Sequence, residues 1–179
     1  VATTGLGNSF ALMVAEWSGD SMIVALILVA VASLVLGMGL PVTASYVVLA
    51  TLAAPALYDL ITRAELIDAL ASGAVPETAR AIIALAAPDV SLGAPMSTGA
   101  AADLLALLPP EMSGMLRETM LSPALLTTAL LSAHMIVFWL SQDSNVTPPV
   151  CLAAFAAAGI AETPPMRTGL VAWKIAKSL

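Results

Sequence analysis

Gly37-Met38-Gly39-Leu40-Pro41-Val42-Thr43 interrupts an apolar sequence that carries no charge from Ser21 to Leu57. Two glycines and a proline close together end helices, since glycine is costly inside one and proline removes an N–H and clashes with the preceding turn. The run before the break, Ser21 to Leu36, is 16 residues long. As a helix it covers about 24 Å, short of the ~30 Å hydrocarbon core of a bilayer. One continuous span has no use for such a break, so the stretch predicts a re-entrant hairpin or a broken membrane helix. Non-helical backbone at membrane depth persists only where protein buries it or where it lines a wet cavity.

A second break, Asp143-Ser144-Asn145-Val146-Thr147-Pro148-Pro149, follows the apolar run Pro123 to Leu140. After it comes a half-helix of small residues, Val150 to Ile160, whose Ala and Gly content allows close helix approach. No repeat of 20–50 residues is visible. The two breaks are nevertheless parallel: an apolar half-helix, a polar interruption with Thr beside Pro, then a second half-helix. Paired interruptions of this kind point to the ion or substrate site of a secondary transporter.

Composition agrees. Of 179 residues 60% are hydrophobic and 10% charged, against about 45–50% apolar and ~25% charged in soluble domains. The mean hydropathy is +0.98. The expected fold is all-α, a polytopic membrane protein with a re-entrant helical hairpin and a broken transmembrane helix. The alternatives are an Ala/Leu-rich soluble helical bundle and a soluble or membrane-associated helical interaction module. The net charge of -6, with no basic cluster, argues against nucleic acid as a partner. One Cys and one His leave neither a disulfide nor a zinc site without added carboxylates. No nucleophile elbow, phosphate loop or HExxH pattern is present, so no enzyme is expected. The chain opens at Val1 without a signal-peptide layout and reads as a C-terminal fragment of a longer polypeptide.

Three regions follow. Residues 1–58 form a membrane region with the hairpin, broken at 37–43, and Thr4-Gly5-Leu6-Gly7 is a turn or helix end. Residues 59–124, where charges return, form a polar helical insert, extramembrane or interfacial. Its expected helices are Ala64–Ala71, one opening at Pro76-Glu77, Gly99–Leu108 and Pro110–Met120, with Met96, Met112, Met115 and Met120 as gap fillers. Residues 125–179 hold the broken helix, interrupted at 143–149. The end of the chain, from Met166, is an amphipathic segment whose Arg167, Trp173, Lys174 and Lys177 suit a bilayer surface.

A broken helix frees carbonyls from its first half and N–H groups at the start of its second. The carbonyls are hard donors suited to Na⁺, and the N–H end suits a carboxylate. Gly37, Gly39, Ser144, Asn145 and Thr147 are therefore the candidate Na⁺ ligands. Pro41, Thr43, Thr147 and Pro148 are the candidate substrate contacts. Asp143 has three readings: a Na⁺ ligand, a proton carrier, or a residue of a solvated turn. His134 reads as a helix-packing histidine bonded to a neighbour, with a proton relay as its second reading.

Three ordered strings, Thr4 to Gly7, LGMGLPVTASYVVLATLAAP from Leu36 to Pro55, and HMIVFWLSQDSNVTPPVCLAAFAAAGIAETPPMRTG from His134 to Gly169, carry a family resemblance. The chain resembles the large membrane subunit of tripartite ATP-independent periplasmic (TRAP) transporters, in the fused-permease branch that works with TAXI-type binding proteins. The resemblance implies a multi-pass permease of the bacterial inner membrane, built from inverted repeats, that takes up small organic acids with Na⁺. No cofactor is implied beyond Na⁺ as the coupling ion. The implied partners are a periplasmic TAXI-type solute-binding protein, the lipid bilayer, and the remaining repeat and scaffold of the full-length permease. Gly37–Thr43 and Ser144–Pro149 correspond to its two ion-binding breaks. Residues 60–124 depart from the pattern. A channel, or a permease without Na⁺ coupling, is the alternative on the same broken helices.

Overall fold

A computed structural model describes residue 13 and residues 16–19, 21–88, 90 and 94–176. The Thr4–Gly7 motif, and Lys177 with it, lies outside the described residues. All regular structure among the described residues is helical. The chain divides into two compact units, residues 1–57 with 132–179, and residues 58–131.

In the first unit, α1 (Met22–Gly37) and α2 (Val42–Leu52) flank the first break. Met38 N–H still bonds Leu34 O at 3.3 Å, but Gly39 and Leu40 N–H both turn onto Leu36 O, at 3.0 and 2.9 Å, and the helix closes. The buried positions of α1 are Ala25, Val29, Ser33 and Gly37, one every four residues. That row of small side chains is an i±4 ridge suited to close packing. The offset row Ile23, Ile27, Val31 and Val35 is exposed and wholly apolar, the reverse of a soluble surface helix. The later part of α7 (Pro123–Ser141) repeats the device, burying Ala133, Val137 and Ser141 while exposing Met135, Phe138 and Trp139. Ser33 Oγ donates to Leu140 O at 2.8 Å, tying α1 to α7. A single 3-10 turn, Gln142–Asn145, ends α7, and α8 (Leu152–Ile160) and α9 (Pro165–Ala176) pack on one another beyond it.

The second unit holds the later part of α3 (Ala54–Ala71), α4 (Glu77–Ala86), α5 (Thr98–Leu107), α6 (Pro110–Met120) and the start of α7. Leu66, Leu70, Ile83, Leu104, Leu116 and Leu121 lead a contiguous apolar core, against which Met96 and Met120 pack. Ser97 Oγ caps α5 by accepting Ala100 N–H at 3.2 Å. Arg117 pairs with Asp59 at 2.8 Å and lies over the Tyr58 ring. Gly73 is required at its turn, because its φ is +77° and an added Cβ would sit 2.9 Å from Pro95 N.

One expectation needs correcting, and another is met in part. The helix placed at Ala64–Ala71 begins ten residues earlier, at Ala54. Pro55 falls in its first turn, where a missing N–H costs nothing, and instead ends α2 upstream. The expected all-α membrane fold is met in part. Among the described residues one helical stretch, Pro123–Asn145, is long and apolar enough to cross a bilayer, and a second exists only if α2 and α3, bent by 48°, count as one span. The structure thus displays less than a full polytopic arrangement.

Candidate functional site

The two breaks meet. A Cβ added to Gly37 would lie 3.1 Å from Ser144 Oγ and 3.4 Å from both Ser144 Cα and N. The last residue of α1 is therefore seated on the backbone of the 3-10 turn, 107 positions away in sequence. Both α1 and α2 touch that turn, and so does α8. A side chain at Gly37 would press on the Ser144 hydroxyl, which would have to give by a few tenths of an ångström.

Proline placement explains which oxygens are left over. In a helix each carbonyl takes the N–H four residues on. For Gly37, Ser144 and Asn145 that residue is Pro41, Pro148 and Pro149, none of which has an N–H. The carbonyl of Asp143 is occupied instead: it accepts Val146 N–H at 3.1 Å, Thr147 N–H at 2.9 Å and Thr147 Oγ at 2.7 Å. Because the Thr147 hydroxyl spends its hydrogen there, only its lone pairs remain for a ligand.

Two hydroxyls in the same region are buried without a partner, Ser144 Oγ in the turn and Ser45 Oγ in the first turn of α2. An unsatisfied buried polar atom costs about 1–3 kcal/mol, and such atoms in native folds call for an explanation such as a bound ion or water. The donor set fits a hard cation held by neutral oxygens. Among the described residues no group of three or more His, Cys, Asp or Glu gathers to hold a metal. Asp143, half-buried, is the sole acidic residue in either break.

The remaining sequence-derived residues are placed as follows. Thr147 is buried and Asn145 half-buried, its Nδ2 donating to Gln142 Oε1 at 3.2 Å. Gly39, Pro41 and Thr43 are exposed, and an added Cβ at Gly39 meets only Leu36 O, at 3.9 Å. Pro148 is half-buried beside Gly169. The structure therefore brings Gly37 and Ser144 together, while Gly39, Pro41 and Thr43 stay on the rim. Pro41 and Cys151 occupy the N-cap positions of α2 and α8 without side-chain caps, so the first N–H groups of both helices are free to face an anion.

Sequence reasoning missed four participants: Ser33, Ser45, Tyr46 and Gly169. Tyr46 Oη lies 3.2 Å from His134 Nδ1, and its ring meets Phe138 edge-on at 5.9 Å. The hydrogen-bonded packing role read for His134 thus has a named partner. Ser33 carried a signal, since it stands one helical turn before Gly37 on the same row of α1, whereas Ser45 lies beyond the break. Gly169 carried none.

Across residues 1–176 the chain matches the family of the tripartite ATP-independent periplasmic transporter, DctM component. The matched range includes residues 60–124, the stretch that the sequence resemblance left uncovered. Neither a curated protein nor a solved structure matches the chain. The family consists of transport components and not enzymes, set in the inner membrane and working with periplasmic solute-binding proteins. With nearly its whole length inside the match, the chain belongs to the DctM family, the large membrane subunit of TRAP transporters.

Proposed function

We propose that the two breaks form a Na⁺ site in a permease that takes up small organic acids. The single observation that supports this most is the seating of Gly37 on Ser144, beside two partnerless buried hydroxyls. In this reading the carbonyls of Gly37, Ser144 and Asn145 and the hydroxyl of Thr147 are the cation ligands, with Gly39 giving the first break its turn. The substrate carboxylate sits at the free N–H ends of α2 and α8, beside Pro41, Thr43, Thr147 and Pro148. Asp143 adds the one formal charge and takes the coupling role. Na⁺ draws the breaks together, and that closure prepares the anion site, so uptake of the acid follows Na⁺ entry.

In the same reading α1 and α2 are a re-entrant hairpin, residues 59–124 lie outside or at the edge of the bilayer, and the partner is a TAXI-type binding protein. The full-length permease is then multi-pass. The test is uptake by that permease in liposomes with its binding protein. Thr147→Ala and Asn145→Ala each raise the Na⁺ concentration for half-maximal uptake. Unchanged Na⁺ activation in both variants overturns the site. Flux that rises without saturation and ignores the binding protein points to a channel instead.

A further inference from the structure

Two polar tethers straddle the first break, and both end on the helix that leads into the second. The inner one, Ser33 Oγ to Leu140 O at 2.8 Å, leaves α1 four residues before Gly37 and reaches α7 four residues before Ser144. It lies one helical turn from the point where the breaks touch. The outer one, Tyr46 to His134 at 3.2 Å, leaves α2 four residues after its first residue, Val42. Its rings continue toward the second break, with Tyr46 packed edge-on against Phe138 one turn further along α7. Thus each arm of the first break is hydrogen-bonded to the same helix.

The inner and outer tethers differ in how firmly they are held. Ser33 is fully buried and its acceptor is backbone. Tyr46 and His134 are half-buried, and their bond joins two side chains. The inner tether ties α1 to α7 through a buried bond to backbone, while the outer one ties α2 to the same helix. Since α2 carries the orphan Ser45 beside Tyr46, moving α2 moves a candidate oxygen and a free helix N-terminus together.

We infer that Tyr46 and His134 are positioning residues, a clamp that holds α2 against α7 and thereby sets the spacing of the two breaks. The consequence for Na⁺ affinity rests on the reading given under Proposed function; the spacing itself does not. Two measurements on the full-length permease separate them. In the first, Na⁺-driven uptake in liposomes is followed for Tyr46→Phe, which keeps the ring and removes the hydroxyl. Half-saturation for Na⁺ rises about two- to tenfold, the range of one net hydrogen bond, while the maximal rate changes less. His134→Ala does the same, His134→Gln restores much of the loss, and Tyr46→Phe with His134→Ala is no worse than either alone.

In the second, spin labels at Met38→Cys and Leu152→Cys, both exposed positions in a cysteine-free background, report the distance across the breaks. The distribution is narrow with Tyr46 and broad with Phe. An unchanged distribution in Tyr46→Phe overturns the clamp, whatever the cation does. A broadened distribution with no Na⁺ dependence of uptake in the native chain upholds the clamp and removes the Na⁺ reading. Strictly additive effects of the two substitutions also overturn it.

Discussion

Gly169 offers the sharpest test of how the segment after the second break is packed. It is buried in α9, and a Cβ built there would lie 2.6 Å from Cys151 Sγ, with Pro148 Cγ at 3.5 Å and Phe155 Cε1 at 3.6 Å. The last two distances are ordinary contacts. The first is about 1 Å inside the usual separation of heavy atoms. Cys151 is fully buried at the N-cap of α8, so its sulfur has no open space to enter. In an uncrowded helix, Gly→Ala stabilises by about 0.5–1 kcal/mol, because alanine loses less backbone entropy. Overpacking of a filled site costs about 1–3 kcal/mol. The overlap outweighs the propensity, so Gly169→Ala lowers stability by up to about 2 kcal/mol.

The cycle with Cys151→Ala isolates the cause. Removing the sulfur leaves only the two ordinary contacts, and Gly169→Ala then stabilises by about 0.5–1 kcal/mol. The substitution changes sign with its background, and the coupling between the two positions is about 1–3 kcal/mol. Thermal unfolding of the four full-length proteins in one detergent reads this directly. A rise in Tm for Gly169→Ala in the native background, or equal shifts in both backgrounds, refutes the packing argument.

Glu162 has φ of +51° in the turn between α8 and α9, a conformation that costs a residue with a Cβ about 1–2 kcal/mol. Glu162→Gly relieves most of this and loses some chain entropy, so Tm rises modestly, by the equivalent of about 0.5–1 kcal/mol. In the second unit, Ile83 is fully buried in the core and Leu85 on the same helix is 83% exposed. Ile83→Ala costs about 2–5 kcal/mol, while Leu85→Ala stays within about 0.5 kcal/mol. Comparable losses at the two positions, measured by thermal unfolding, would show that Leu85 is covered in the assembled permease.

Helix ends written in glycine and proline were legible. The closing of α1 at Gly37, the opening of α6 at Pro110 and the interruption after α7 follow from residues that cannot continue or cannot precede a helix. The bend at Ala53 was legible only in part. Pro55 was visible, but its effect falls upstream: it withholds a donor from Thr51 O. The pairings were not legible at all. Gly37 with Ser144, Ser33 with Leu140 and Tyr46 with His134 join positions 88 to 107 residues apart. Local periodicity says that a serine stands on a buried ridge. It does not say which carbonyl lies across from it.

The spacing of the prolines gives the site its economy. A carboxylate at the centre of a bilayer costs about 2.5–3.5 kcal/mol on insertion scales, and a site built from several would also repel itself when empty. Pro41, Pro148 and Pro149 each withdraw the N–H that an ordinary helix would present to Gly37, Ser144 and Asn145. Three carbonyls lose their helical donors without any charge entering the chain. The contact of Gly37 with Ser144 then places two of those residues against each other. The same three oxygens on separate helices would each need water, which at membrane depth means a wet cavity. The proposed site answers this by drawing them toward one ligand near the Gly37–Ser144 contact. In the proposed site a single cation takes these oxygens as ligands, with Asp143 balancing the charge. On this argument the proposed coupling lies in the backbone, and the side chains around it, Ser33, Tyr46 and His134 above all, serve to keep two backbone segments in register.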